Sequence, residues 1–138
     1  MVEGTTTSTT NVVLPRGASW NVHKFGGTCV GSPDRIQHVA EIITGDLSVR
    51  KVAVVSAMAK VTDMMYDLLR RAAARDKSYD AALDVVYEKH RDTATSLLAE
   101  GEDLAMFLRV LDADVQNLRS MLHAISIGMD ILTMHFLH

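Results

Sequence analysis

The sequence predicts an α/β fold, because a strand, a glycine-rich turn, a helix and a second strand follow one another within the first 60 residues. The first strand is expected over residues 20–25, and the second contains the apolar run 52–55. A continuous apolar run of this kind is typical of a parallel strand buried on both faces. The elements form a βαβ unit, whose two strands are parallel and whose crossover is right-handed.

Residue types at both ends of the intervening region predict a helix there. Ser32 suits the N-cap position, Pro33 the first helical position and Asp34 the positive end of the helix. Gly45 and Asp46 are expected to end the helix.

The sequence beyond residue 57 is predicted to be helical, because apolar residues recur there at helical spacing. Three stripes are present, within residues 61–72, 79–97 and 104–125. Gly101 separates the second stripe from the third, which predicts an antiparallel helical hairpin. From Gly128 onward the apolar residues show no clear period.

Composition fits a single globular domain and excludes several classes of partner. The chain has 138 residues, of which 48% are hydrophobic and 22% charged. A net charge of −3 gives no electrostatic case for a nucleic-acid or membrane-surface partner, and none is expected. The single cysteine, Cys29, cannot form an internal disulfide, which fits a reducing compartment. No apolar run approaches the roughly 20 residues of a membrane span.

Chemistry-bearing residues follow both strands, at the edge of an open α/β sheet where ligands bind. The first strand delivers Lys24 to a turn that holds Gly26, Gly27 and Thr28. The two glycines allow a sharp turn and leave its N–H groups uncovered, so that the turn and the following helix N-terminus suit a phosphate. We expect Lys24 to neutralise that phosphate.

The second strand brings Ser56 and Ala57 to the same edge, and Thr62 follows on the next turn. Hydroxyl groups there suit the orientation of an acceptor for phosphoryl transfer, a reaction that depends mainly on positioning and charge stabilisation. Two alternatives remain open: Lys24 is an ordinary solvent-exposed lysine, and Ser56 and Thr62 cap the following helix.

The common nucleotide-binding motifs do not account for this turn. The sequence contains no G-x-G-x-x-G, and Gly26 and Gly31 have P-loop spacing but are followed by Ser32 where that motif requires lysine. The lysine precedes the glycines instead.

Two segments together resemble the aspartate kinases, and most closely the N-terminal part of the plant bifunctional aspartokinase/homoserine dehydrogenases. The first is residues 23–28, His-Lys-Phe-Gly-Gly-Thr, followed by Gly31 and by Arg-Ile at 35–36. The second is residues 54–63, Val-Val-Ser-Ala-Met-Ala-Lys-Val-Thr-Asp. The likeness extends over roughly residues 14–128. The residues of these two segments argue against a uridylate or carbamate kinase, which would share the fold.

The resemblance implies the three-layer α/β/α sandwich of the amino-acid kinases and a specific reaction. ATP, with Mg²⁺, would phosphorylate the side-chain carboxylate of L-aspartate to 4-phospho-L-aspartate, the first step towards lysine, threonine, methionine and isoleucine. By position, Lys24, Gly26, Gly27 and Thr28 match the segment that handles the ATP phosphates, with Lys24 as the catalytic residue. The matches to the aspartate-contacting segment are Ser56, Ala57 and Thr62. No protein metal site is implied, and the resemblance places the protein in the chloroplast stroma.

The likeness stops at Gly128, where the family continues into a segment whose glutamate holds the substrate amino group. We therefore expect three regions: a flexible segment 1–19, a partial kinase domain 20–128 and a divergent C-terminal tail 129–138. We expect the fragment itself to show no turnover. The alternative function is that of a truncated, non-catalytic isoform that associates with full-length aspartokinase subunits.

Overall fold

The computed structural model describes residues 19–135 and confirms the predicted α/β class. Two strands and four helices follow the predicted order along the chain. Their bounds are β1 Asn21–Phe25, α1 Pro33–Gly45, β2 Lys51–Val55, α2 Val61–Ala73, α3 Tyr79–Leu97 and α4 Glu102–His135. Within this part of the chain, no helix is both long enough and apolar enough to cross a lipid bilayer.

The two strands pair in parallel, as the βαβ unit requires. The register sets Lys24 opposite Val54 and Phe25 opposite Val55. One further bond continues the ladder, because the backbone N–H of Ser56 donates to the carbonyl of Phe25 across 3.1 Å. Both strands therefore end at the same edge of the sheet, and the segments that follow them begin side by side.

The burial predicted for β2 is wrong, since all five of its residues are exposed. Val54 retains 48% and Val55 58% of its accessible surface. The sheet has two strands in the described part of the chain, so β2 has a neighbour on one side only. An apolar run shows which side chains favour burial. Whether they are buried depends on a further strand or helix packing over them. The valines of β2 therefore remain exposed although their side chains favour burial.

The main hydrophobic core lies between α2, α3 and α4 and contains no residue of the sheet. Its largest fully buried side chains are Leu68, Leu83 and Leu122. Helices α3 and α4 form the predicted antiparallel hairpin: Arg119 of α4 pairs with Asp80 and, at 2.7 Å, with Asp84 of α3. The helical layer thus has a core of its own, beside which the βαβ unit is attached.

Helix α4 does not stop at Gly128, where the sequence loses its clear apolar period. The helix continues to His135, because one glycine in a helix interior costs only about 1 kcal/mol. Residues 1–18 and 136–138, which belong to the predicted N-terminal segment and C-terminal tail, lie outside the described residues.

Asp46 links β1 to the segment that precedes β2, at the end of the sheet opposite the glycine turn. Its Oδ2 lies 2.7 Å from His23 Nε2 and accepts a bond of 3.0 Å from the side chain of Asn21, while its Oδ1 accepts the Ser48 N–H across 2.8 Å. The hydrogen bond with His23, helped by those with Ser48, holds the pKa of Asp46 well below its ordinary value. Sequence analysis identified Asp46 only as a helix-ending residue.

The lowered pKa of Asp46 predicts a loss of stability in acid. The ionised carboxylate stabilises the folded state fully above its unfolded pKa of about 3.9, and the contribution declines as pH falls below that value. Asp46→Asn should therefore lower the free energy of unfolding at pH 7 by more than at pH 3, as measured by urea denaturation. Asp114→Asn, which removes an exposed carboxylate on α4, is the control. An Asp46→Asn effect of equal size at both pH values would contradict this account.

Candidate functional site

The segment between β1 and α1 forms a tight turn. The backbone N–H of Cys29 donates to the carbonyl of Gly26 across 2.9 Å, which closes the turn over residues 26–29. Neither Gly26 nor Gly27 has a φ in the left-handed range, so the turn itself does not require glycine at either position. Ser32 occupies the predicted N-cap of α1, but its side chain makes no capping bond.

Gly27 is needed for another reason, which is its close approach to the segment after β2. A Cβ atom at Gly27 would lie 3.3 Å from the carbonyl oxygen of Ala57 and 3.7 Å from the Ser56 hydroxyl. The predicted phosphate turn and the predicted acceptor segment are therefore in contact at this point. Gly26 has open space around the equivalent position, with no atom within 4 Å.

Gly31 makes a second close approach between the same parts of the chain. A Cβ atom there would lie 3.3 Å from the Cβ of Ala59 and 3.4 Å from the carbonyl oxygens of Gly27 and Thr28. Sequence analysis used Gly31 only for its spacing in a motif. Its structural role became visible only once the strands were paired, because Ala59 is distant in sequence.

Several polar side chains at this edge are exposed and have no partner. Within the described residues, the side chains of Lys24, Thr28, Ser56 and Thr62 make no hydrogen bond or ion pair. Exposed donors of this kind are bound to water or available to a ligand. The structure thus leaves an ammonium group and three hydroxyl groups free along the two segments.

The alternative role for Ser56 and Thr62, capping of α2, is not seen. The N-cap of α2 is Lys60, which has a φ of 68°, and no side chain makes a capping bond there. Thr62 lies in the first turn of α2, and in the described part of the chain its hydroxyl makes no hydrogen bond. The structure therefore brings Gly27 against Ser56 and Ala57, and the contact of Thr62 with a substrate stays a prediction.

Sequence reasoning missed the part that Arg35 plays at the turn. Its guanidinium group donates to the carbonyl of Thr28 across 2.7 Å. Arg35 also lines a cavity of about 300 Å³ between the turn and α1, together with Phe25, Cys29 and Val39. In the sequence, Arg35 stands in the first of the two segments that carry the resemblance, but nothing there indicates a contact with Thr28.

The arrangement suits a phosphate better than a metal ion. A glycine without a Cβ atom, exposed backbone and a nearby lysine can approach phosphate oxygens closely, and α1 begins a few residues later. Among the residues that the structure describes, no group of three or more His, Cys, Asp or Glu side chains could hold a metal ion. The specific role of each predicted site residue stays a prediction.

Comparison with known proteins identifies similar sequences over most of the chain. Residues 19–133 match the model of the amino acid kinase family. The chain is 59% identical over 125 residues to a chloroplastic bifunctional aspartokinase/homoserine dehydrogenase 2 of Arabidopsis thaliana, covering 88% of this chain and 14% of that protein. It is 61% identical over 121 residues to the chloroplastic enzyme of Daucus carota, and this match covers 88% of this chain and 13% of that protein.

A more distant relative is the aspartokinase of Geobacillus stearothermophilus, which is 36% identical over 80 residues, or 56% of this chain and 19% of that protein. The chain therefore spans less than one fifth of the length of these curated relatives.

The two glycines of the turn should respond differently to substitution. Gly27→Ala should displace the backbone at Ala57 and lower the free energy of unfolding by about 1 kcal/mol, because the added methyl group overpacks the contact. Gly26→Ala is the matched control and should change stability by less than about 0.5 kcal/mol, since its methyl group enters open space. Urea denaturation and the amide chemical shift of Ala57 measure both effects. Equal behaviour of the two variants would contradict the close approach.

Proposed function

The chain belongs to the amino acid kinase family, and from this premise we propose that it carries the phosphate-binding and aspartate-binding segments of an ATP-dependent aspartate kinase. One observation carries the proposal: Gly27 of the turn lies against Ala57 and Ser56 of the second segment. A donor phosphate on the turn and an acceptor beside Ser56 would be neighbours, as direct transfer requires. The names of the relatives support aspartate as the acceptor.

The proposed reaction moves the γ-phosphoryl group of ATP to aspartate. A side-chain carboxylate oxygen of aspartate forms a bond to the γ-phosphorus, while the bond from that phosphorus to the β–γ bridging oxygen breaks. ADP leaves with the electron pair, and the product is 4-phospho-L-aspartate. Because both reactants are anions, the main task of the protein is to neutralise charge and hold the two in line.

The first segment would bind the phosphates. The ammonium group of Lys24 is exposed and without an ion-pair partner in the described residues, so it is available to neutralise negative charge during transfer. The N–H groups of Gly26 and Gly27 would donate to phosphate oxygens, and the open space where a Cβ atom would stand at Gly26 leaves room for a close approach. The Thr28 hydroxyl would bind a further phosphate oxygen.

The second segment would bind L-aspartate. Its hydroxyl donors are Ser56, which lies beside Gly27, and Thr62, in the first turn of α2. The backbone of Ala57 would complete the contact with the substrate. Neither hydroxyl is engaged in capping α2, which leaves both available.

Mg²⁺ is proposed to arrive with the nucleotide. The described residues offer no carboxylate cluster that could hold it, and Mg²⁺ is commonly bound in part through substrate phosphates. The cellular compartment is inferred from the relatives, whose names describe chloroplastic proteins. We therefore propose that the protein is located in the plastid stroma and takes part in amino-acid biosynthesis.

A second candidate function is association with full-length aspartokinase subunits. It is favoured by the open sheet face, which we define as Trp20, Val22, Val52 and Val54. All four side chains are exposed, with Val22 at 61% and Trp20 at 59%. An apolar face at a strand with an unpaired edge is typical of a protein interaction surface. This function does not require turnover by the chain itself.

Removal of the Lys24 ammonium group should weaken nucleotide binding. Lys24→Ala is expected to raise the Kd for Mg·ATP by about 10- to 100-fold, the range for loss of a charged hydrogen bond. Isothermal titration calorimetry measures the affinity, with Lys77→Ala, an exposed lysine between α2 and α3, as the control. Unchanged affinity in Lys24→Ala, or an equal loss in Lys77→Ala, would refute a phosphate-binding role for Lys24.

Association through the open sheet face should depend on its valines. The double variant Val22→Thr/Val54→Thr keeps the β-branched shape but reduces apolar surface, and it should abolish co-elution with full-length aspartokinase. Size-exclusion chromatography with light scattering provides the measurement. The control is Val85→Thr/Val110→Thr, which alters valines that are 54% and 57% exposed on the helices. A wild-type chain that remains a monomer beside the full-length enzyme would exclude this function.

A further inference from the structure

Arg35 reaches back from α1 to the glycine turn, and its contact fixes one particular peptide group. Its guanidinium group donates to the carbonyl oxygen of Thr28 across 2.7 Å. The N–H of the same peptide group belongs to Cys29 and donates to the carbonyl of Gly26 across 2.9 Å. Both polar groups of the peptide between Thr28 and Cys29 are therefore bonded, and they point in opposite directions within its plane.

A peptide group whose C=O and N–H are both bonded cannot rotate without breaking one of these bonds. Rotation would separate the guanidinium group from its acceptor, and a hydrogen bond with a charged donor is stronger than a neutral one. The same turn also packs closely against Gly31, which approaches the carbonyl oxygens of Gly27 and Thr28. The arginine thus restrains the one peptide that directly follows the predicted phosphate-binding residues.

We propose that Arg35 is a positioning residue for the glycine turn: it fixes the Thr28–Cys29 peptide and so keeps the N–H groups of residues 26–28 arranged for a phosphate. This rests on the proposed function, in which those N–H groups bind ATP. Preorganised donors bind an anion better than mobile ones because no ordering is needed on binding. Arg35 acts through the Thr28 carbonyl and does not itself touch the substrate.

A different explanation of any effect of Arg35 is its charge, which would attract a phosphate directly. The two explanations make different predictions for the ligand-free chain. A positioning residue restrains the turn before the nucleotide binds, whereas a purely electrostatic one leaves the free turn unchanged. The exchange of backbone amide hydrogens within the turn therefore separates them.

The test compares wild type with Arg35→Met, which keeps an apolar stem but removes the guanidinium group, and with Arg35→Lys, which keeps the charge and replaces the planar guanidinium with an ammonium group. Arg109→Met, at an exposed arginine on α4, is the control. In the ligand-free chain, Arg35→Met should speed exchange of the Cys29 amide about tenfold, with an unchanged urea midpoint. It should also raise the Kd for Mg·ATP about fivefold. Arg35→Lys should recover part of both effects, and Arg109→Met should show neither.

Any other result contradicts either the positioning role of Arg35 or the proposed function. Unchanged amide exchange in Arg35→Met overturns the proposal, and weaker binding with unchanged exchange assigns Arg35 a direct electrostatic role instead. Faster exchange with unchanged ATP affinity also overturns it. If exchange accelerates as expected but the wild-type chain does not bind Mg·ATP, the restraint by Arg35 is supported and the proposed function is what fails.

Discussion

The parallel pairing of β1 with β2 is the constraint on which the candidate site depends. Parallel strands end at the same edge, so the segments that follow them must begin as neighbours, although about 30 residues of sequence separate them. The bond from the Ser56 N–H to the Phe25 carbonyl carries the pairing to the last residue before the turn. The absence of a side chain at Gly27 then allows the turn to reach Ala57. The adjacency of the two segments follows from this geometry, and the residue types on them supply the lysine and the hydroxyl groups.

The sequence was sufficient to predict most of the order of elements, because local signals determine it. Apolar periodicity indicated α2, α3 and α4, and the run 52–55 indicated β2. Burial was predicted less well, since β2 has the composition of a covered strand but has one neighbour in the described residues. Helix α4 was also longer than its apolar pattern suggested, because a single glycine does not end a helix that is continuous on both sides.

The candidate site was predictable in its residue types but not in its supporting contacts. Lysine, glycine and hydroxyl residues at strand ends have recognisable chemistry, so they can be selected from a sequence. Arg35 stood out only as part of a matched segment and Asp46 only as a helix-ending residue, because their importance arises from contacts with residues 7 to 25 positions away. A cation at a helix start and an acid after a helix are common in any sequence. Such positions acquire a meaning only when the chain has folded and the partner is known.

The central claim is that the glycine turn and the segment after β2 form one anion site. Its most direct test is the backbone amide NMR spectrum of the labelled chain during titration with Mg·ATP. The account predicts that the amide signals of Gly26, Gly27 and Thr28 shift together with those of Ser56 and Ala57, following a single binding curve, while signals in α3 and α4 stay unchanged. Shifts confined to the helical layer, or no shift at either segment at millimolar nucleotide, would contradict it.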